Sequence, residues 1–206
     1  MQTEGRRRGI IFILSGPSGA GKTTLFRPAL KVAAGLERSV SLTTRRPREG
    51  EIEGVHYRFV TDDEFKRKVA ADELAEWAQV FDASYGTPRA PLDQAIASGR
   101  DVLLDIDTQG ALQIRGKYPE DAVAIFVLPP SFAELEERLR RRGTEDEAAI
   151  QRRLRRARDE ACAYSQYDYL IINSDIEKSQ MALEALVAAE RLKVTRLSPE
   201  FVPWNK

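Results

Sequence analysis

Near the start of the chain, Gly16-Pro17-Ser18-Gly19-Ala20-Gly21-Lys22-Thr23 has the spacing G-x-x-x-x-G-K-[ST]. Glycines at this spacing let successive backbone N–H groups converge on phosphate oxygens, and a helix that follows presents the positive end of its dipole to the same anion. Lys22 is placed to reach the β- and γ-phosphates of a nucleoside triphosphate, and the Thr23 hydroxyl to ligate Mg²⁺. The competing reading is a glycine-rich turn that binds nothing. Context opposes it, because the apolar run Ile10 to Leu14 comes directly before the octapeptide and a helical pattern directly after. Two carboxylates are further candidates: Asp105 in the apolar run Val102 to Ile106, and Asp107 just beyond. A carboxylate at that end of a strand lies near the ligand crevice of an open α/β sheet and can support Mg²⁺. Asp107 is also suited to cap the helix that follows it.

Loop and carboxylates can meet only if the strands carrying them lie in one sheet. The runs Ile10 to Leu14, Val102 to Ile106, Val123 to Leu128 and Tyr169 to Ile172 are continuously apolar, as strands covered on both faces are. Helical spacing occupies Thr23 to Ala34, Thr108 to Lys117, Phe132 to Arg142, Glu147 to Tyr164 and Glu177 to Lys193. This alternation predicts an α/β fold with a mostly parallel sheet flanked by helices. Pro28 inside the first helical pattern predicts a kink or an early stop. Ser39 to Tyr85, with Arg and Glu among Tyr, Phe and Trp and no long helix pattern, reads as an inserted subdomain of short strands. Glu134 to Glu160 mixes arginines and acids at i,i+4 spacing, which predicts a solvent-facing helix pair.

Composition bounds the function. The chain has 206 residues, 42% hydrophobic and 31% charged, enough for one folded domain. Its 32 Lys plus Arg balance 32 Asp plus Glu, giving no global attraction to nucleic acid or an anionic membrane. The single cysteine, Cys162, cannot form an intramolecular disulfide, and there is no Cys/His cluster for structural zinc. The chain therefore reads as intracellular and cytoplasmic. One histidine, His56, rules out a multi-His metal site and is assigned a structural role. No stretch approaches the roughly 20 apolar residues of a membrane span.

Further segments follow the loop in order: Ser41-Leu42-Thr43-Thr44-Arg45-Arg46-Pro47-Arg48-Glu49-Gly50-Glu51, then Gly54-Val55-His56-Tyr57-Arg58-Phe59, Glu76-Trp77-Ala78, Tyr85-Gly86, and Leu104-Asp105-Ile106-Asp107-Thr108-Gln109-Gly110. With Arg-Gly-Thr-Glu at 142 to 145 and Ile-Asn-Ser-Asp at 172 to 175, the chain resembles the guanylate kinases from the phosphate loop to about residue 190. The resemblance implies a P-loop kinase fold with core about 1–38, 95–133 and 165–206, a GMP-binding subdomain about 39–90 and a lid about 134–160. It implies an ATP site of Gly16, Pro17, Ser18, Gly19, Ala20, Gly21, Lys22, Thr23, Thr24 and Asn173, the last near adenine. It implies a GMP site of Ser41, Arg45, Arg48, Tyr57, Glu76, Tyr85, Thr87 and Asp107, and Mg²⁺ at Thr23 and Asp105. The arginines that match the family's catalytic ones are Arg138, Arg142 and Arg153, beside Lys22 and Arg45; the other lid arginines are assigned to solubility and helix pairing.

These assignments agree with what the side chains can do. Arg45 and Arg48 with two tyrosine hydroxyls suit a monophosphate. Guanine presents N1–H and N2 donors beside an O6 acceptor, which Glu76 and Asp107, and Ser41 and Thr87, complement. Transfer of the γ-phosphoryl group of Mg-ATP to GMP is the implied reaction, needing no general base because its acceptor is already an anion. Two alternatives stand beside it: a non-catalytic guanylate-kinase-like interaction module, and a P-loop kinase for another acceptor. Leu42 stands where many members of the family carry a small polar residue. The tail Arg196 to Lys206 extends past the resemblance, and its apolar side chains suit docking on the core or a homo-oligomer contact.

Overall fold

A computed structural model describes residues 7–32, 35–80, 82–141 and 146–198. Arg142 and the tail beyond residue 198 lie outside them. The first apolar run forms β1 (Ile11–Ser15), buried along its whole length. On one side it pairs in parallel with β7 (Asp101–Asp105), on the other with β8 (Ala122–Leu128). Outermost lie β2 (Leu36–Arg38) beside β7 and β9 (Tyr169–Ile172) beside β8, giving a five-stranded parallel sheet in the order β2-β7-β1-β8-β9.

Because neighbouring residues of a strand face opposite ways, β1 feeds two cores. Ile10, Phe12 and Leu14 pack on Leu25 of α1 (Lys22–Val32) and on Leu183 and Val187 of α7 (Ile176–Arg191). Ile11 and Ile13 pack on Leu92 and Ile96 of α3 (Arg89–Ala97) and Ile114 of α4 (Thr108–Lys117). β9 departs from expectation. It is an edge strand, with Leu170 44% and Ile172 46% exposed, so its apolar run is not covered on both faces. α1 also departs from expectation: it does not stop at Pro28 but runs on to Val32. Packing of Leu25, Phe26 and Ala29 into the core outweighs the hydrogen bond that proline removes.

The segment after β2 forms a second sheet in the order β4-β3-β6-β5, from β3 (Leu42–Thr43), β4 (Arg58–Phe59), β5 (Leu74–Val80) and β6 (Ala83–Pro88). It also holds a helix that the sequence did not announce, α2 (Asp62–Ala70), capped by Thr61, whose hydroxyl accepts from the Glu64 N–H. Its apolar face is narrow. Phe65 packs with Leu42 and Leu74, which accounts for Leu42: the side chain is in the core, 2% exposed, not at a ligand.

Gln113 of α4 ties the two sheets together. It exchanges two hydrogen bonds with the backbone of Trp77, 3.1 Å to its N–H and 2.7 Å to its carbonyl, and so holds β5 beside α4. The mixed-charge segment forms α5 (Phe132–Arg141) and α6 (Glu147–Ala161), as the spacing predicts. They share an apolar seam of Leu135, Leu139, Ile150, Leu154 and Ala157. Outside it, Arg138, Arg140, Arg141 and Arg156 pair with acids four residues away.

Candidate active site

The C-terminal ends of β1 and β7 open into a cleft of about 310 Å³. In an open parallel sheet this is where ligands bind, because neighbouring connections leave toward opposite faces there. The loop from Gly16 to Thr23 forms one wall, with Lys22 and Thr23 opening α1. Lys22 Nζ donates to the carbonyls of Gly16 (2.6 Å) and Pro17 (3.3 Å), which holds the ammonium over the loop. Thr23 and Thr24 face the cleft, while Pro17 and Ala20 are buried in the loop's framework.

Asn173 is not among the residues that line the cleft. It is buried behind the loop, where its side-chain amide donates to the Ala20 carbonyl at 2.9 Å and its own carbonyl accepts from Arg138. Gly21, at φ 94°, leaves the room: a Cβ there would lie 2.1 Å from the Asn173 amide nitrogen. Asn173→Ala would strand the Ala20 carbonyl, and we expect it to cost about 1–3 kcal/mol of stability, measured by urea unfolding.

Across the cleft stands the second sheet. Glu76 on β5 is 3% exposed and accepts a 2.6 Å hydrogen bond from the Thr87 hydroxyl on β6. Burial, reinforced by Asp107 nearby, pushes its carboxyl up to about 7 against the pull of Thr87. Gly110 of α4 makes the approach possible, because a Cβ there would sit 2.4 Å from Glu76 Oε2. Asp107 does both things the sequence allowed. It caps α4, Oδ1 accepting from the Gly110 N–H at 2.9 Å, and it also lines the cleft. Ser41, Tyr57 and Tyr85 line it too, the tyrosine rings meeting edge to face at 5.9 Å. Burial raises the Tyr57 hydroxyl above its ordinary value, so at neutral pH it is a donor.

Arg45 and Arg48 do not line the cleft themselves. Arg45 lies behind the tyrosines, 5.4 Å from the Tyr57 ring centre, donating to the Tyr85 hydroxyl (3.2 Å) and through both terminal nitrogens to Glu51. The same Glu51 accepts from the Arg48 N–H, and its hydrogen bonds with Arg45 pull its carboxyl down to about 2. Glu51 thus organises this basic turn, a role its position in the motif did not disclose. His56 is structural, as expected: Nδ1 accepts from the Ile52 N–H, and its carbonyl from Arg38.

At the end of β7, Asp105 opens to the cleft. The cleft walls still displace much of its bulk water, which raises its carboxyl, while Lys22 and Arg38 act to lower it. From above, α5 lies on the loop, with Leu135 and Leu139 against Gly19. α6 brings Arg153 to 3.4 Å from the Ser18 hydroxyl. Arg156 and Glu160 of α6 also line the cleft, so Arg156 makes the helix pair expected of the lid arginines and stands at the cleft as well. The signal was available, since Arg153, Arg156 and Glu160 fall on one helix face.

Phosphate loop and arginine-bearing helix on one side of a single cleft, and a polar pocket on the other, make this a P-loop phosphotransferase able to hold a donor and an acceptor together. The guanylate kinase family model matches residues 8–190. The guanylate kinase of Maricaulis maris is 49% identical over 93% of this chain and 88% of its own length. That of Nitrobacter winogradskyi is 50% identical over 92% and 87%. The crystal structure of guanylate kinase from Anaplasma phagocytophilum superposes with a TM-score of 0.79 at 36% identity, covering 95% of this chain and 93% of that one. The chain belongs to the guanylate kinase family, whose members are nucleoside monophosphate phosphotransferases.

Proposed function

We propose that the cleft transfers the γ-phosphoryl group of ATP to GMP, giving ADP and GDP, with the second sheet as the GMP-binding part and α5 and α6 as the lid. The observation that carries this reading is the buried Glu76 carboxylate, which lines the cleft opposite the phosphate loop with Asp107 beside it, while Thr87, buried and not itself lining the cleft, donates its hydroxyl to Glu76. A carboxylate fixed there accepts from guanine N1–H and N2, and adenine, with its acceptor N1 and no N2 amine, leaves it unpaired. The GMP phosphate falls to Tyr57, Tyr85, Arg45 and Arg48. The ATP phosphates fall to the loop N–H groups and Lys22, with Arg138, Arg142 and Arg153 on the transferring group. Gathering two anions that repel one another, and keeping water from the γ-phosphoryl, is the catalytic work.

Thr23 and Asp105 suit Mg²⁺: both are hard oxygen donors, both line the cleft, and among the described residues none donates a hydrogen bond to the Asp105 carboxylate. When bound, the ion would offset charge between the β- and γ-phosphates. Among the described residues no helix is long and apolar enough to cross a membrane. A cytoplasmic site of action, where ATP is plentiful, belongs to the same proposal.

The test is ADP release with Mg-ATP and each of GMP, AMP, CMP and UMP. Turnover with GMP at least about 10³-fold above AMP in kcat/KM is expected from a pocket of buried polar groups. Comparable turnover with another acceptor would overturn the guanine pocket. Binding of GMP without any turnover would favour an interaction module.

A further inference from the structure

Two arginines of the lid helices pair within the helix pair, Arg140 with Glu136 and Glu147, and Arg141 with Glu137. Arg156 does something else. Its Nε donates to Glu160 Oε1 one turn on, at 2.6 Å, which fixes the guanidinium plane. Its Nη2 then reaches across the cleft to Asp107 Oδ2, at 3.5 Å. The three side chains are largely sheltered, with exposures of 30% for Arg156, 16% for Asp107 and 14% for Glu160, so solvent screens this contact less than it would a surface pair. Asp107 has its other oxygen committed to the cap of α4, which leaves Oδ2 as the oxygen facing the cleft.

Arg153 lies one turn before Arg156 on the same helix and points to Ser18 of the phosphate loop. One face of α6 therefore touches both halves of the cleft, the ATP half through Arg153 and the GMP half through Arg156.

We propose that Arg156 is a positioning residue that acts through Asp107: it aims the carboxylate at the guanine amine and links occupancy of the guanine pocket to the seating of α6 over ATP. This rests on the reading of the cleft as a GMP site. Two consequences follow. Arg156 sets the affinity for GMP more than the rate of transfer, and the two nucleotides strengthen one another's binding through α6. Such coupling is reciprocal, so a loss seen from one nucleotide must be seen from the other.

The experiment uses the full chain and the variants Arg156→Ala, Arg156→Lys, Asp107→Asn and the Arg156→Ala/Asp107→Asn pair. Asparagine at 107 still caps α4, so the fold is retained. For each, kcat and both KM values are measured, together with GMP binding with and without a non-hydrolysable ATP analogue and Mg²⁺. Arg156→Ala is expected to raise the KM for GMP about tenfold while kcat changes less than about threefold. The analogue's enhancement of GMP binding should shrink toward none. Lysine should restore part of it, and in the Asp107→Asn background the Arg156→Ala change should add less than about twofold. An unaltered KM for GMP, an equal rise in both KM values with the enhancement intact, or full multiplication of the two single effects would overturn the proposal. Failure of the underlying reading looks different: the unaltered chain would then not phosphorylate GMP at all.

Discussion

Replacing Lys22 with alanine is expected to lower kcat/KM for GMP phosphorylation about 10³-fold, roughly 4 kcal/mol of transition-state stabilisation, while the protein stays folded. The ammonium is held over the loop by the Gly16 and Pro17 carbonyls, so it is already in place when phosphates arrive and needs no reorganisation as charge moves. Its loss removes the loop's fixed positive side chain, and neither Arg153 nor Arg138 can replace it, because both are anchored on α5 and α6 above the loop. Lys22→Arg is also expected to fail, since the planar fork does not fit where a compact point charge rests between two carbonyls. ADP release with Mg-ATP and saturating GMP, beside thermal unfolding of each variant, checks both statements. Activity within tenfold of the unaltered chain in Lys22→Ala would mean that the loop's backbone and the lid arginines suffice.

The second large effect concerns Glu76. Glu76→Gln is expected to raise the KM for GMP about 10²-fold, since the amide offers one acceptor where guanine needs two and turns its N–H₂ toward a donor. The pH dependence gives an independent signature. Only the ionised carboxyl accepts both guanine donors, and burial has pushed it up to about 7. kcat/KM for GMP should therefore fall as pH drops below 7, about tenfold per unit. Bound guanine favours the ionised form, so the same fall in kcat at saturating GMP should come at lower pH. The GMP phosphate itself titrates near about 6, so the comparison is with Glu76→Gln, which keeps that titration and should lose the other. Stability runs the opposite way. With a carboxyl raised in the folded state, the neutral form is the better tolerated; stability is fully present below the unfolded value and is lost as pH rises toward 7. Glu76→Gln should accordingly melt higher than the unaltered chain at pH 8. A variant with unchanged KM for GMP, or the same pH profile, would remove Glu76 from guanine recognition.

Some elements were legible because their causes are local. The run before Gly16 reads as a strand buried on both faces because every residue in it is apolar, and β1 is fully buried. α5 and α6 were visible through their leucines and their i,i+4 ion pairs. α2 was not, because one fully buried residue, Phe65, does not make a period, and its start rests on a threonine cap amid charges. β9 looked like β1 in composition, but nothing in a four-residue apolar run says whether another strand lies beyond it. Pro28 misled for a related reason: the penalty is local, while the packing that offsets it comes from the sheet and α7.

The sequence by itself determined the phosphate loop, since the loop's chemistry lies in consecutive backbone groups and the first turn of the helix that follows. It also determined the family, through ordered segments that no single motif supplies. Tertiary structure alone decided how Glu76, Thr87 and Asp107 converge, because three separate stretches must be brought together by β5–β6 pairing and by Gln113. It alone decided that Asn173, 153 positions beyond Ala20, braces the loop from behind, and that Arg156 crosses the cleft while Arg140 and Arg141 stay with their own helix pair. Such side chains act at a distance in sequence, where residue type gives the chemistry and packing alone gives the partner.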